Sequence, residues 1–417
     1  NESLSHADRN AMWPLAKRTL PYAAIVLLSA WLASRATSMG DWDTDSYPAV
    51  HALASGHLGA YFEATPMMGP FSTLVQAPFA ALPGGDRLEV YRWAAFPCLL
   101  AVGFLGLYLA SIGRRRGASP LAQAVLFAVP LINPITFEAL RFGHPEELLT
   151  AALAVAAIAS ASEGHRTRAA ILLGLAIASK QWAVIAVLPT LMALPAGRVR
   201  AAAVAAGVAA LLILPGLAAA PGGFLEVNGK AADTGRVVTP LSIWYPAASA
   251  TTETYHVDGR RLVAKVEEAP PFVGSLSHPL ILLMAVALPV ALALRRGRIG
   301  ISGPDAMALF ALLALLRCVL DPVDNLYYHA PLLLALVGWD AFSARGLPLR
   351  SLGAFAVALI FSRALHELAD PNAFNLVYLG AVTGVGCALV SSLFWRFNWT
   401  SVPVPSLFAV RSPNFRD

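Results

Sequence analysis

Apolar runs of about 18 or more residues recur along the whole of this 417-residue chain. A run of that length crosses the roughly 30 Å hydrocarbon core of a bilayer as a single helix. Lipid offers backbone groups no hydrogen bonds, so a chain embedded in it must fold as helices or a closed barrel. Near-continuous apolar runs, as opposed to alternating ones, specify helices. The 13% content of charged residues is half the roughly 25% of a soluble domain. A soluble enzyme, a coiled coil and a disordered chain are therefore excluded. The expected fold is all-α: a polytopic transmembrane bundle of about 12 spans, with residues 1–417 forming one membrane-embedded domain.

The expected spans lie at about 19–36, 90–111, 119–134, 146–162, 168–180, 182–195, 200–217, 278–295, 304–320, 327–343, 350–367 and 375–395. Lys17 and Arg18 precede the first and set the N-terminal side as cytoplasmic. Residues 15–36 also carry the charged flank and apolar core of a secretory signal, with small residues near Ala33. We read the segment as a retained first helix, and the loop after it is external either way. Every second loop is then basic: Arg114–Arg116, Arg166 with Arg168, Arg198 with Arg200, Arg295, Arg296 and Arg298, and Arg345 with Arg350. Arg396, Arg411 and Arg416 place a cytoplasmic tail at about 396–417. This distribution accounts for the net charge of +5 without nucleic acid as a partner. Cys98, Cys318 and Cys387 all sit in apolar runs and are expected as packing residues. The runs at 168–180 and 182–195 are too short to cross upright, which predicts a partly penetrating hairpin with Lys180 at its tip, inside the protein.

Two expected external loops are long, about 37–89 and 218–277, so function is expected at the outer face. The first opens with Gly40-Asp41-Trp42-Asp43-Thr44-Asp45-Ser46-Tyr47. Three crowded carboxylates repel one another unless a cation, a donor or a substrate offsets them. One facing a cavity can act as a general base on a hydroxyl; two at i and i+2 could instead hold a divalent cation. A solvated acidic loop is the plainer alternative. Cations at or within the membrane mark functional sites by default, which singles out Lys180, Arg317, His329 and Arg141, with His144 beside the last. Snorkelling, or a salt bridge such as Arg317 with Asp321, is the competing explanation. Trp42, Tyr47, Tyr61, Trp244 and Tyr245 suit either sugar stacking or an interfacial aromatic belt. Met67 and Met68 read as flexible apolar contacts, and His51 and His57 as surface residues.

Downstream of Asp43-x-x-x-Tyr47 come Ala54, Gly56, Tyr61, Pro66, Gly69-Pro70-Phe71 and Ala77-Pro78-Phe79-Ala80-Ala81-Leu82-Pro83. This order resembles the first external loop of GT-C superfamily glycosyltransferases, in particular the actinobacterial polyprenol-phosphate-mannose-dependent mannosyltransferases. Gly174–Lys180 and Asn325-Leu326-Tyr327-Tyr328-His329-Ala330-Pro331 resemble two further segments of that family, whereas Arg141–Glu147 is only loosely like its equivalent turn. The resemblance implies a polyprenyl-phosphate sugar donor, mannose before other sugars, and a lipid-linked or envelope-glycan acceptor, with inversion at the outer face of the plasma membrane. It implies Asp43 as base, with Asp41 or Asp45 as alternatives. Lys180, His329, Arg317 and Arg141 would hold the donor phosphate, and Tyr47, Trp42, Tyr61, His144 and Trp244 the sugar or acceptor. Membrane lipids are the remaining partners. No cofactor is expected, although a cation on Asp41, Asp43 and Asp45 stays open. The rival reading is a transporter or flippase for a lipid or glycan intermediate, against which the missing internal repeat counts.

Overall fold

A computed structural model describes residues 6–64, 68–232, 237–257, 260–297, 300–343, 346–367 and 370–395. Pro66, Met67, Arg298, Arg345, Arg396, Arg411 and Arg416 lie outside them. The fold is a helical bundle, and helix occupies every expected span. In order these are α1 (His6–Ser34), α2 (Trp42–Asp45), α3 (Tyr47–Ala54), α4 (Leu58–Ala64), α5 (Pro70–Ala80) and α6 (Arg87–Arg115). Next come α7 (Pro120–Leu131), α8 (Pro134–Phe142), α9 (Pro145–Ser162), α10 (Arg166–Ser179), α11 (Val187–Ala193), α12 (Arg198–Ala219) and α13 (Pro221–Ala232). A hairpin of β1 (Ser249–Val257) and β2 (Arg260–Glu268) precedes α14 (Phe272–Arg296), α15 (Gly303–Leu320), α16 (Ala330–Ser343), α17 (Leu349–Glu367) and α18 (Pro371–Val390). Seven of these helical stretches are long and apolar enough to cross a membrane by themselves, and the chain is a membrane-embedded all-α protein. The hairpin expected around Lys180 is α10 followed by a 3-10 turn, Gln181–Ala186, and α11.

Helix starts follow local chemistry. Asp86, Ser119 and Asn133 accept backbone N–H groups of α6, α7 and α8, and Ser302 with Asp305 forms a capping box on α15. Such caps satisfy the orphan donors of a first turn. The third span runs on to Phe142, beyond the expected end at 134. Pro134 cannot donate to the preceding turn, and Asn133 caps α8 while its amide donates to the Val129 and Pro130 carbonyls. The helix therefore breaks and restarts.

The Ala-rich α9 is the most enclosed of the long spans, and α12 and α18 are the most open. Small residues let helix backbones approach closely where apolar burial alone gives no drive in lipid. A Cβ on Gly106 would collide with the Phe127 carbonyl, and one on Gly174 with that of Ala205.

The bundle has two chemically distinct ends. At one, Arg115 and Arg116 pair with Glu163, Arg116 donates to the Phe342 carbonyl, and Arg350 pairs with Asp340. The expected cytoplasmic loops thus share one end. At the other, the first long loop folds into α2–α5 and docks back on the bundle. The Asp41 amide donates to the Phe142 carbonyl and the Gly69 amide to that of Ser179. The β1–β2 hairpin, paired from Ser249↔Glu268 to Val257↔Arg260, was not expected. Asp258-Gly259 between two runs that each contain β-branched residues, 249–257 and 260–268, is its sequence signal.

Gly143 ends α8 at φ +82°, and a Cβ there would strike the Met39 carbonyl oxygen. Gly143→Ala should destabilise the protein by at least about 2 kcal/mol, from the left-handed backbone and the clash together. Gly207→Ala, in the α12 helix with open space at its Cβ, should be neutral or slightly stabilising. Thermal unfolding of both variants in detergent checks this; equal melting points would sink the assignment.

Candidate active site

The docked loop lies over the start of α9, where the turn Gly143-His144-Pro145 brings two consecutive acids, Glu146 and Glu147, into the protein interior. Both are fully buried. Unpaired carboxylates there would cost several kcal/mol each, so their partners define the site. Lys180 breaks out of α10 with an extended backbone, and its Nζ lies 3.1 Å from Glu146 Oε1 and 3.3 Å from Glu147 Oε1. Arg317, from α15, sets Nη2 3.8 Å from the same Glu147 oxygen. Its guanidinium also lies over the rings of Trp182 and Tyr328, 4.9 and 4.5 Å from their centroids. Trp182 Nε1 donates to Glu147 Oε2 at 2.7 Å. Arg317 thus pairs across the bundle with Glu147, while Asp321 accepts the Val323 amide and faces His278.

His144 joins this core to the acidic loop. Its Nδ1 is 2.9 Å from Glu146 Oε1 and its Nε2 3.3 Å from Asp41 Oδ2, and its ring stacks on Tyr327. Burial pulls the imidazole pKa down, but hydrogen bonds to Asp41 and Glu146 outweigh it and raise the value to about 9. A continuous path of alternating charge results: Asp41, His144, Glu146, Lys180, Glu147, Arg317.

The three acids of the loop have different surroundings. Asp41 is exposed and meets His144. Asp43 turns to the surface, where both its oxygens accept from Arg87 Nη1 at 3.0 and 3.2 Å, while the Arg87 guanidinium lies 4.8 Å from the centroid of Tyr47. Asp45 is half-buried. Burial raises its pKa, Thr44 donates to it, Asp41 raises it further, and His144 and Lys180 act on it in the opposite direction. Of the three, Asp41 is the acid in contact with the charge path, through His144.

Several singled-out residues serve packing. Trp42 is fully buried against Tyr47 and Tyr91 and donates to Gln76 Oε1 at 2.8 Å. Tyr61 is buried with Ala49 and Ala52. Trp244 donates to the Leu320 carbonyl at 2.7 Å. Arg141 extends over Phe142 toward Glu138. His329 lies on the 3-10 turn Leu326–His329, where three residues make one turn. Tyr327, Tyr328 and His329 therefore project three ways: to His144, to Arg317, and to Tyr378 of α18. The sequence singled out Lys180, Arg317, His144 and the acidic loop, which the structure brings to one end of the bundle, but not the organising positions of Glu146, Glu147 and Trp182. The signal was present: two adjacent acids opening an otherwise apolar helix need buried cations.

His144 carries a pH test. Its pKa is raised above the unfolded value of roughly 6.5, so its contribution is complete below that pH. It is lost as pH rises through about 9. The wild-type melting temperature should fall more steeply across this window than that of His144→Gln; parallel profiles would count against the His144–Asp41–Glu146 linkage.

Comparison with known proteins comes down on one side. No curated protein matches the chain. The model of glycosyltransferase family 87 matches residues 68–322, more than half of the chain. That stretch holds Glu146, Glu147, Lys180 and Arg317, while the acidic loop precedes it and His329 follows it. The chain belongs to glycosyltransferase family 87.

Proposed function

We propose that this glycosyltransferase moves a sugar, mannose before others, from a polyprenyl-phosphate donor to a hydroxyl of a lipid-linked or envelope glycan, with inversion. The reaction takes place at the extracytoplasmic face of the plasma membrane, with both termini cytoplasmic, opposite the end that gathers the arginines. The observation that carries the reading is the link from the acidic loop, through Asp41, His144 and Glu146, to Lys180 over the start of α9. A base and cations at one place are what transfer from a lipid phosphate needs: one group to take the acceptor proton, others to receive charge on the departing phosphate.

Asp45 takes the role of base. It is shielded, its proton affinity is raised by burial, and it forms no ion pair with an arginine among the described residues, whereas Asp43 is held by Arg87. Asp43 fixes the loop through that pair. Lys180 and Arg317, oriented by Glu146 and Glu147, meet the phosphate beside Tyr328. The mechanism routes no step through a metal on the acidic loop.

A cleft of about 1240 Å³ between α16, α17 and α18 supports a lipid donor. It is larger than the roughly 300–1,000 Å³ of small-molecule pockets and begins at His329 and Tyr378, next along the chain from Tyr328. Its walls are chiefly apolar, including Leu333, Leu336, Val357 and Val385, and Asp340 and Arg350 lie at its far end. The prenyl chain lies there.

Asp45→Asn should lower transfer from polyprenyl-phosphate mannose in detergent by about 100-fold or more, the scale of general-base catalysis. Its melting temperature should hold or rise, because a partly buried charge is removed. Asp43→Asn should lose less than about 10-fold, as an exposed ion pair contributes little. Full activity in Asp45→Asn would refute it as the base; absence of transfer by the wild type from any lipid-phosphate sugar would favour a transporter.

A further inference from the structure

Beside the proposed phosphate site, at the head of the proposed donor cleft, lies a second cluster to which no chemical step of the transfer has been assigned. Cys318 on α15, Asp324 in the loop after it, and His329 on the 3-10 turn each offer one ligand atom, and these atoms lie within 4.8 Å of one another. Cys318 and Asp324 are fully buried and His329 nearly so. Tyr378 closes the group from α18: its hydroxyl is 3.1 Å from His329 Nε2 and 3.4 Å from Asp324 Oδ2. His329 Nε2 and Asp324 Oδ2 are themselves 3.6 Å apart, too far for a good hydrogen bond.

Hydrogen bonding leaves this group incomplete. The single phenolic proton of Tyr378 serves one acceptor only, and the Cys318 thiol is directed at the Tyr328 carbonyl, 3.3 Å away. Asp324 Oδ1 is buried and has no hydrogen-bond partner among the described residues. Buried polar atoms of native proteins are almost always satisfied, and an exception calls for an explanation such as an ion.

We propose that Cys318, Asp324 and His329 bind one zinc-class divalent ion, with the Tyr378 hydroxyl or a water as fourth ligand. The donor set is sulfur, nitrogen and oxygen, which suits zinc and disfavours the all-oxygen preferences of calcium and magnesium. Drawing the ligand atoms onto a centre with bonds of about 2.0–2.3 Å needs only side-chain movement of the order of an ångström. Charge also closes: thiolate and carboxylate neutralise the dication, while the neighbouring Arg317 is already answered by Glu147. Metal binding releases the thiol proton, and the carboxyl proton where Asp324 holds one, to solvent. The ion ties α15, the loop, the 3-10 turn and α18 together. It thereby fixes Arg317 and Tyr328, the chain neighbours of Cys318 and His329. Its role is structural, independent of which acid is the base.

The full chain, purified in detergent and stripped with chelator, should rebind one cobalt(II) per molecule with a tetrahedral visible spectrum and a thiolate-to-cobalt charge-transfer band. Cys318→Ser should lose that band. Asp324→Asn and His329→Gln should weaken cobalt binding by more than the roughly 10–100-fold that outer-shell changes cost. Metal analysis of the wild type as isolated needs no variant to fold: less than a tenth of a zinc equivalent, together with no cobalt uptake, overturns the proposal. So does a charge-transfer band that survives in Cys318→Ser. Loss of sugar transfer in Asp45→Asn with normal cobalt binding separates this site from the catalytic one.

Discussion

Two carboxylates with no access to water set the terms for the rest of the structure. Glu146 and Glu147 sit at the head of the most enclosed long helix, where removal of either cation would leave an uncompensated buried charge. Lys180 and Arg317 come from different helices, and His144 reaches back to the acidic loop. One electrostatic requirement thus fastens α8, α9, α10, α15 and the first long loop to each other. The same groups make up the candidate site, so its geometry is held by the forces that hold the bundle. Preorganised cations of this kind need no rearrangement when charge develops on a leaving group.

Span positions were legible in the sequence because a bilayer imposes a length and a hydropathy that few other solvents do. The common end of the arginine loops was legible for a related reason: charge asymmetry is a one-dimensional signal. What the sequence could not convey was direction within a turn. Asp41, Asp43 and Asp45 look equivalent on paper, yet one meets His144, one meets Arg87 and one is half-buried beside Thr44. Arg87 lies far along the chain from Asp43 and carried no mark of the pairing. His329 shared a motif with Tyr327 and Tyr328, but the three-residue turn sends it toward α18. Trp42 shows the same limit: an indole beside an acid cluster suited sugar stacking, whereas in the structure it packs against Tyr47 and Tyr91 and its N–H is taken by Gln76.

The β1–β2 hairpin and α13 belong to the second long loop and take no part in the charge path. Residues 237–248, between them, and Ser277 at the start of α14 nonetheless make specific bonds to the bundle. The Thr239 amide donates to the Pro322 carbonyl and the Ile243 amide to that of Val319, while Ser277 Oγ and Trp244 Nε1 both donate to the Leu320 carbonyl. The last carbonyls of α15, which no helical turn follows, are therefore satisfied by this loop. It caps the helix that delivers Arg317.

The order of the buried acids and their counterions along the chain has a consequence for biogenesis. Synthesis delivers Glu146 and Glu147 to the insertion machinery before Lys180 has been made and long before Arg317. During that interval α9 carries two acids that hydrocarbon will not accept, on a helix whose alanines are only weakly lipophilic. The charge that answers them comes with Lys180 at the end of α10, so the stable position of α9 depends on its neighbour.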